Sequence, residues 1–148
     1  MSIDLFYTNQ HRKMDYLLNY LYKNNINNNI PIAAMVVKDD DIISIAINNT
    51  NNNPLDHAEI LVLNKAINII KDKYLLNCDL YITLEPCPMC AQAISLARIN
   101  RIYFAALSSK SGALYSTINL FNDNFIGHKP EIYYLENKYY MLYLSRFF

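Results

Sequence analysis

Two short segments hold the residues with the most chemical reach. One is LEPCPMC, Leu84 to Cys90, where Cys87 and Cys90 are separated by two residues and prolines stand at 86 and 88. The other is PLDHAEI, Pro54 to Ile60, which places His57 and Glu59 about thirty residues upstream. A Cys-x-x-Cys pair is a redox dithiol, part of a metal site, or an accident. Zinc takes cysteine sulfur and histidine nitrogen in tetrahedral sites. Structural sites fill all four positions with protein, and catalytic sites use three and leave one open. Pro88 suits the first turn of a helix, where its missing N–H would be unpaired anyway. Cys87 and Cys90 then lie one turn apart at a helix start, where the helix dipole favours thiolate. Cys78 is a poor fourth ligand, because the strand between it and Cys87 separates them by about 20 Å or more at ~3.3 Å per residue. His57 opens a helix of its own, and two helix starts near one end of a sheet can converge. His57, Cys87 and Cys90 give three ligands for Zn2+, with Glu59 placing a carboxylate beside the open position. A redox dithiol also follows a strand, as this pair does, but the HAE segment has no part in that reading. His11 and His128 read as surface or core histidines.

The elements that must position these residues are legible from periodicity. Met14, Leu17, Leu18 and Leu21 fall on one face of a helix over His11–Tyr22. Pro31–Val37 reads as a buried strand and Ile42–Ile47 as its hairpin partner across KDDD. Asp56 is placed to cap a helix from about His57 to Ile70, with Ile60, Leu63, Ile67 and Ile70 inward. Leu80–Leu84 is a third strand, Pro88 opens the next helix, and Arg101–Leu107 is a fourth strand. That strand–helix–strand unit implies right-handed, parallel pairing. Ile132–Leu135 is a fifth strand, and Lys138–Phe148 a closing helix with Tyr140, Tyr143, Leu144 and Phe147 on one face. The order α-β-β-α-β-α-β-β-α predicts an α/β fold with a five-stranded mixed sheet.

Composition narrows the class. A chain of 148 residues, 53% hydrophobic and 18% charged, fits one globular domain over 1–148. Its longest apolar run, Ile30–Val37, is far short of the ~20 residues of a membrane span. The N-terminus lacks a basic-then-apolar leader pattern, and three cysteines make no extracellular disulfide framework. The expected compartment is the cytoplasm. Thirteen basic and thirteen acidic residues cancel, so any nucleic-acid contact must come from a local patch. Asparagine is about one residue in seven and glycine is limited to Gly112 and Gly127. KNNINNN and NNTNNN are therefore expected turns in which Asn supplies left-handed backbone. A glycine-rich phosphate loop is excluded.

The set His-x-Glu…Pro-Cys-x-x-Cys resembles the signature of the zinc deaminases of nucleobases. Over nearly its whole length the chain is similar to bacterial tRNA-specific adenosine deaminases. DHAEI, TLEPCPMC, RIYFAA…KSGA, GHKPEI and the terminal SRFF fall where that family has related segments. The resemblance implies a three-layer α/β/α cytidine-deaminase-like fold and hydrolytic conversion of adenosine to inosine at the tRNA wobble position. It also implies one zinc per chain, Glu59 as proton shuttle, and a homodimer holding the tRNA anticodon loop across both subunits. An asparagine upstream of the histidine would hold the flipped base, with Asn48 the better match and Asn49 its rival. Ala58, Glu85 and Pro86 would also stand at the substrate. Arg98, Arg101, Lys110, Lys129 and Arg146 are candidates for the basic groove. The chain departs from the family at Leu55 and Asp56, at Ser108 and at Gly127, and these departures touch RNA contacts, not the zinc set. Two alternatives stay open: a deaminase of free guanine, cytosine or a nucleoside, and an inactive zinc-bound binding module.

Overall fold

The computed structural model describes residues 2–26, 28–122 and 126–148. Its elements run α1 (Ile3–Asn24), β1 (Ala33–Lys38), β2 (Asp41–Ile47), α2 (Ala58–Ile70), β3 (Asp79–Leu84), α3 (Pro88–Ala97), β4 (Arg101–Ala106), a 3-10 turn (Leu120–Asn122), β5 (Glu131–Tyr134) and α4 (Lys138–Ser145). The sheet order is β2-β1-β3-β4-β5. Strand β1 is antiparallel to β2 and β3, whereas β3, β4 and β5 are parallel. This is the five-stranded mixed sheet read from the sequence. No helix among the described residues is long and apolar enough to cross a membrane.

Side chains alternate across a strand, so each strand feeds two cores. Ala34, Val36, Leu80, Ile82, Ile102 and Phe104 pack with Val62 and Ala66 of α2 and Ala91 and Ile94 of α3. Ala33, Met35, Tyr81 and Tyr103 pack with Met14, Leu17 and Leu21 of α1 and Tyr140 and Leu144 of α4. The result is three layers, with α2 and α3 on one face and α1 and α4 on the other. On the second face Tyr81, Tyr103 and Tyr133 stack across neighbouring strands at 4.6 and 5.1 Å between ring centroids. Strand register puts Tyr81 opposite Tyr103 and Tyr103 opposite Tyr133, which is what lets the rings stack.

Element ends differ from the sequence reading for local reasons. Helix α1 starts at Ile3 because Ser2 caps it, accepting the Leu5 N–H at 3.2 Å, with Asp4 in the first turn. Buried periodicity begins only at Gln10 and Met14, and Ile3 and Leu5 of the leading turn are exposed, so the apolar stripe does not mark this start. Helix α4 ends at Ser145. Its buried face holds Tyr140 and Leu144, while Phe147 lies beyond the helix and is exposed. In the β1–β2 hairpin Asp39 and Asp40 both take positive φ, 51° and 65°, between paired Lys38 and Asp41. That is the backbone of a two-residue primed turn, built here without glycine. Asn28 takes φ 53° as expected. The 48–53 loop holds no positive φ, and its asparagines work through side chains: Asn53 Oδ1 accepts the Leu55 N–H at 3.0 Å and Asn49 Oδ1 accepts from Asn52 at 2.8 Å.

Candidate active site

Two helix starts converge beyond the C-terminal end of β3. His57 occupies the N-cap position of α2 and Cys87 that of α3, with Pro88 at the first helical position. Asp56, expected to cap α2, sits one residue further out, where its carboxylate accepts the Asn49 amide at 3.3 Å. His57 Nδ1 is 3.7 Å from Cys87 Sγ and 3.5 Å from Cys90 Sγ. The three ligand atoms all lie within 4.8 Å of one another, and they are the one such metal-sized group among the described residues. A tetrahedral ion with Zn–S about 2.3 Å and Zn–N about 2.0–2.1 Å would set a sulfur–nitrogen edge of about 3.6 Å. The observed separations fit that edge, and the soft sulfurs with an imidazole are zinc's donors. His11 is exposed on α1, and the His128 ring lies 2.6 Å from the Ile99 carbonyl. Cys78 is buried ahead of β3, at the other end of the sheet.

Glu59 lies in the first turn of α2, is almost fully buried, and makes a hydrogen-bond contact with Cys90. Burial pushes its carboxyl up to about 7, with the charge of nearby Cys87 adding to the rise. The Cys90 side chain hydrogen-bonds Cys87 and, against the cost of burial, lowers the Cys87 thiol to about 5. The same hydrogen bond, together with burial, pushes the Cys90 thiol up.

His57 opens onto a cavity of about 700 Å³. Ile30, Ile32, Asn48, Thr50 and Pro54 line one side, residues 106–111 the other, and Met141, Leu144, Ser145 and Phe148 the outer part. Asn48 is buried, with its backbone N–H on the Ile32 carbonyl at 2.8 Å and its amide nitrogen on the Ile30 carbonyl at 3.3 Å and Thr50 Oγ1 at 3.1 Å. Asn49 turns to Asp56 and Asn52 and does not line this cavity. Of the two asparagines, Asn48 is the one that lines the cavity with His57. Ala58 is fully buried at the first position of α2, and the carbonyl of buried Pro86 accepts the Ala113 N–H at 2.9 Å.

The Glu85 side chain has a structural task of its own. Its carboxylate accepts backbone N–H groups from Ser108 (3.1 Å), Leu114 (3.0 Å), Tyr115 (2.8 Å) and Ser116 (3.1 Å), and the Ser116 hydroxyl as well. Burial alone would raise its pKa, but the Ser116 hydroxyl and these N–H groups outweigh burial and hold it below the usual carboxylate value. A Cβ on Gly112 would collide with that carboxylate. Glu85 therefore organises the 108–116 loop, whose first residues form a cavity wall. Spacing gave no sign of this, because the donors are backbone groups.

The basic candidates separate. Lys110 lines the cavity with its ammonium 4.8 Å from the Phe148 ring. Arg146 follows α4 on the same side. Arg101 begins β4, at the opposite end of the sheet, and pairs with Glu131 at 2.8 Å and Asp79 at 3.9 Å. Arg98 ends α3, one helix length from Cys87, and covers the Tyr74 ring at 3.9 Å.

Comparison with known proteins agrees with this geometry. A family model of MafB19-like deaminases matches residues 8–133. The tRNA-specific adenosine deaminase of Rickettsia bellii is 46% identical over 110 residues, covering 72% of this chain and 76% of the relative. The chain belongs to the tRNA-specific adenosine deaminase family. A solved structure from a study of A-to-I editing by tRNA:A34 deaminases at the wobble position is 36% identical, with a TM-score of 0.80 over 85% of this chain and 98% of that one. A Bacillus subtilis guanine deaminase is 26% identical, with a TM-score of 0.60 over 99% and 93%. The deaminase fold read from the sequence is thus the fold observed.

Proposed function

We propose that this chain is a zinc-dependent hydrolase that converts adenosine to inosine at the wobble position of tRNA. The observation that carries the reading is a His–Cys–Cys group with a buried carboxyl beside it, whose histidine lines one cavity. His57, Cys87 and Cys90 would hold one zinc, whose chemistry is Lewis acidity that brings a water's pKa to about 7. Glu59 takes a proton from the attacking water and passes it to ring N1. It then moves the second water proton to the exocyclic amine, which leaves as ammonia while C6 becomes a carbonyl. A carboxyl held near 7 gives and takes protons with similar ease at neutral pH. Asn48, on the wall beside His57, would hold the base in this pocket, and Ala58 and Pro86 would pack behind the reacting ring.

The target base must leave its stack to reach such a site. An anticodon loop offers a base already unpaired, which lowers that cost. The cavity reaches from His57 to Lys110 and Phe148, which suits a strand segment better than a lone base. We infer a homodimer as well, since α2 and α3 leave Ile69 and Leu96 exposed on their outer faces. A tRNA substrate supports a cytoplasmic location for the enzyme. The test is inosine formation in tRNA, run beside free guanine, cytosine and adenosine, with sedimentation of the protein alone. Inosine in tRNA and no turnover of free bases is expected. Turnover of a free base with intact tRNA would overturn the RNA assignment, and no turnover of any of them would leave a zinc-binding module.

A further inference from the structure

Helix α4 is tied to the cavity wall by one hydroxyl. Tyr140 is fully buried. The Ala33 N–H donates to Thr83 Oγ1 at 3.1 Å, the Thr83 hydroxyl donates to Tyr140 Oη at 3.0 Å, and the Tyr140 hydroxyl donates to the Pro31 carbonyl at 2.8 Å. Every hydroxyl in this relay gives and receives, as buried hydroxyls must. Burial raises the Tyr140 pKa, so the donor stays protonated at any working pH. Pro31 stands between the two residues on which Asn48 hangs. The Ile32 carbonyl accepts the Asn48 N–H at 2.8 Å and the Ile30 carbonyl accepts its side-chain amide at 3.3 Å. Ile30, Ile32 and Asn48 all line the cavity.

We propose that Tyr140 is a positioning residue for Asn48: its hydroxyl holds the Pro31 carbonyl, and with it the Ile30–Ile32 backbone that fixes Asn48 in the wall beside His57. The ordinary role of a buried tyrosine, tying α4 to the sheet, leads to a different result. An anchor for α4 would affect stability and activity whatever stands at position 48. A positioning residue for Asn48 loses its catalytic effect once Asn48 is gone. The proposal rests on Asn48 holding the base, as in the reading above.

The experiment is a double-mutant cycle on kcat/KM for inosine formation in tRNA. Tyr140→Phe keeps the ring and removes the hydroxyl. It is expected to lower kcat/KM about tenfold or more in the wild-type background, with zinc content unchanged. In the Asn48→Ala background the same change should cost less than about twofold. Hydrogen exchange at the Asn48 amide should speed up in Tyr140→Phe, while the α2 amides keep their protection. Thr83→Val removes the donor to Tyr140 without altering α4, so it should show the same dependence on Asn48. Effects that multiply in either cycle, or unchanged exchange at Asn48, overturn the proposal. A wild-type chain that makes no inosine defeats the functional reading instead, which keeps the two failures distinct.

Discussion

The two sides of the cavity are held by opposite means. On the side where His57 lines the cavity, His57, Glu59, Cys87 and Cys90 stand at the starts of two helices whose inner faces share one aliphatic core. Many small contacts fix each residue there, and no single one decides its place. On the other side, residues 107–116 have neither helix nor strand, and the loop closes on one carboxylate. A site built this way keeps its reacting groups rigid through regular elements. Its substrate wall hangs on a local polar device that can change without disturbing the fold. Substitutions on the first side should therefore act on chemistry, and on the second side on substrate affinity.

The largest effect is expected at the ligands. Cys87→Ala removes a sulfur from a three-donor set, so zinc should fall from about one per chain toward none and inosine formation below detection. Ligand loss leaves two donors that cannot close a tetrahedral site. Elemental analysis with the tRNA assay checks this, and full zinc occupancy in the variant would remove Cys87 from the set. Glu59→Ala comes next. It takes away a proton carrier and keeps all three ligand atoms, so zinc and tRNA affinity should persist while kcat falls about 10²–10⁴-fold. Turnover within a few-fold of wild type would show that some other group moves the protons.

The same contrast explains what the sequence disclosed. His57, Glu59, Cys87 and Cys90 were legible because chemistry demands particular side chains at particular spacings, and Pro88 marks the helix start that aligns two of them. The sheet was legible because buried strands such as Ala33–Lys38 and Arg101–Ala106 are apolar but for one charged residue at an end. The loop-holding role of Glu85 is not legible in sequence, because its partners are backbone N–H groups more than twenty residues away. Arg101 was placed with the basic groove, although strand direction sets it at the far end against Asp79 and Glu131. Composition counts charges but does not say which are already paired. The Tyr140 relay was equally hidden, because it ends on the Pro31 carbonyl 109 positions away in sequence.

The smallest of these effects separates the two sides most finely. Glu85→Gln keeps the shape and removes the charge that the loop's N–H groups share. Hydrogen bonds to a charged group are worth about 1.5–3 kcal/mol each and do not add, so a loss of about 2–3 kcal/mol in stability is expected. KM for tRNA should rise with kcat and zinc nearly unchanged, because helices α2 and α3 hold the ligands and the loop reaches them only through the Ala113 N–H on the Pro86 carbonyl. The pH dependence carries the sign. The folded pKa of Glu85 is lowered, so its stabilisation is fully present above the ordinary value of about 4.3 and is lost as pH falls through the folded value. The wild type should lose stability on the acid side more steeply than the Gln variant, and chemical denaturation between pH 3 and 6 measures the difference. Gly112→Ala applies the same stress more gently, pushing the carboxylate aside without neutralising it. A similar rise in KM, smaller than that of Glu85→Gln, is expected. A fall in kcat with KM unchanged in either variant would mean that the loop serves the chemistry directly and that the division between the two walls does not hold.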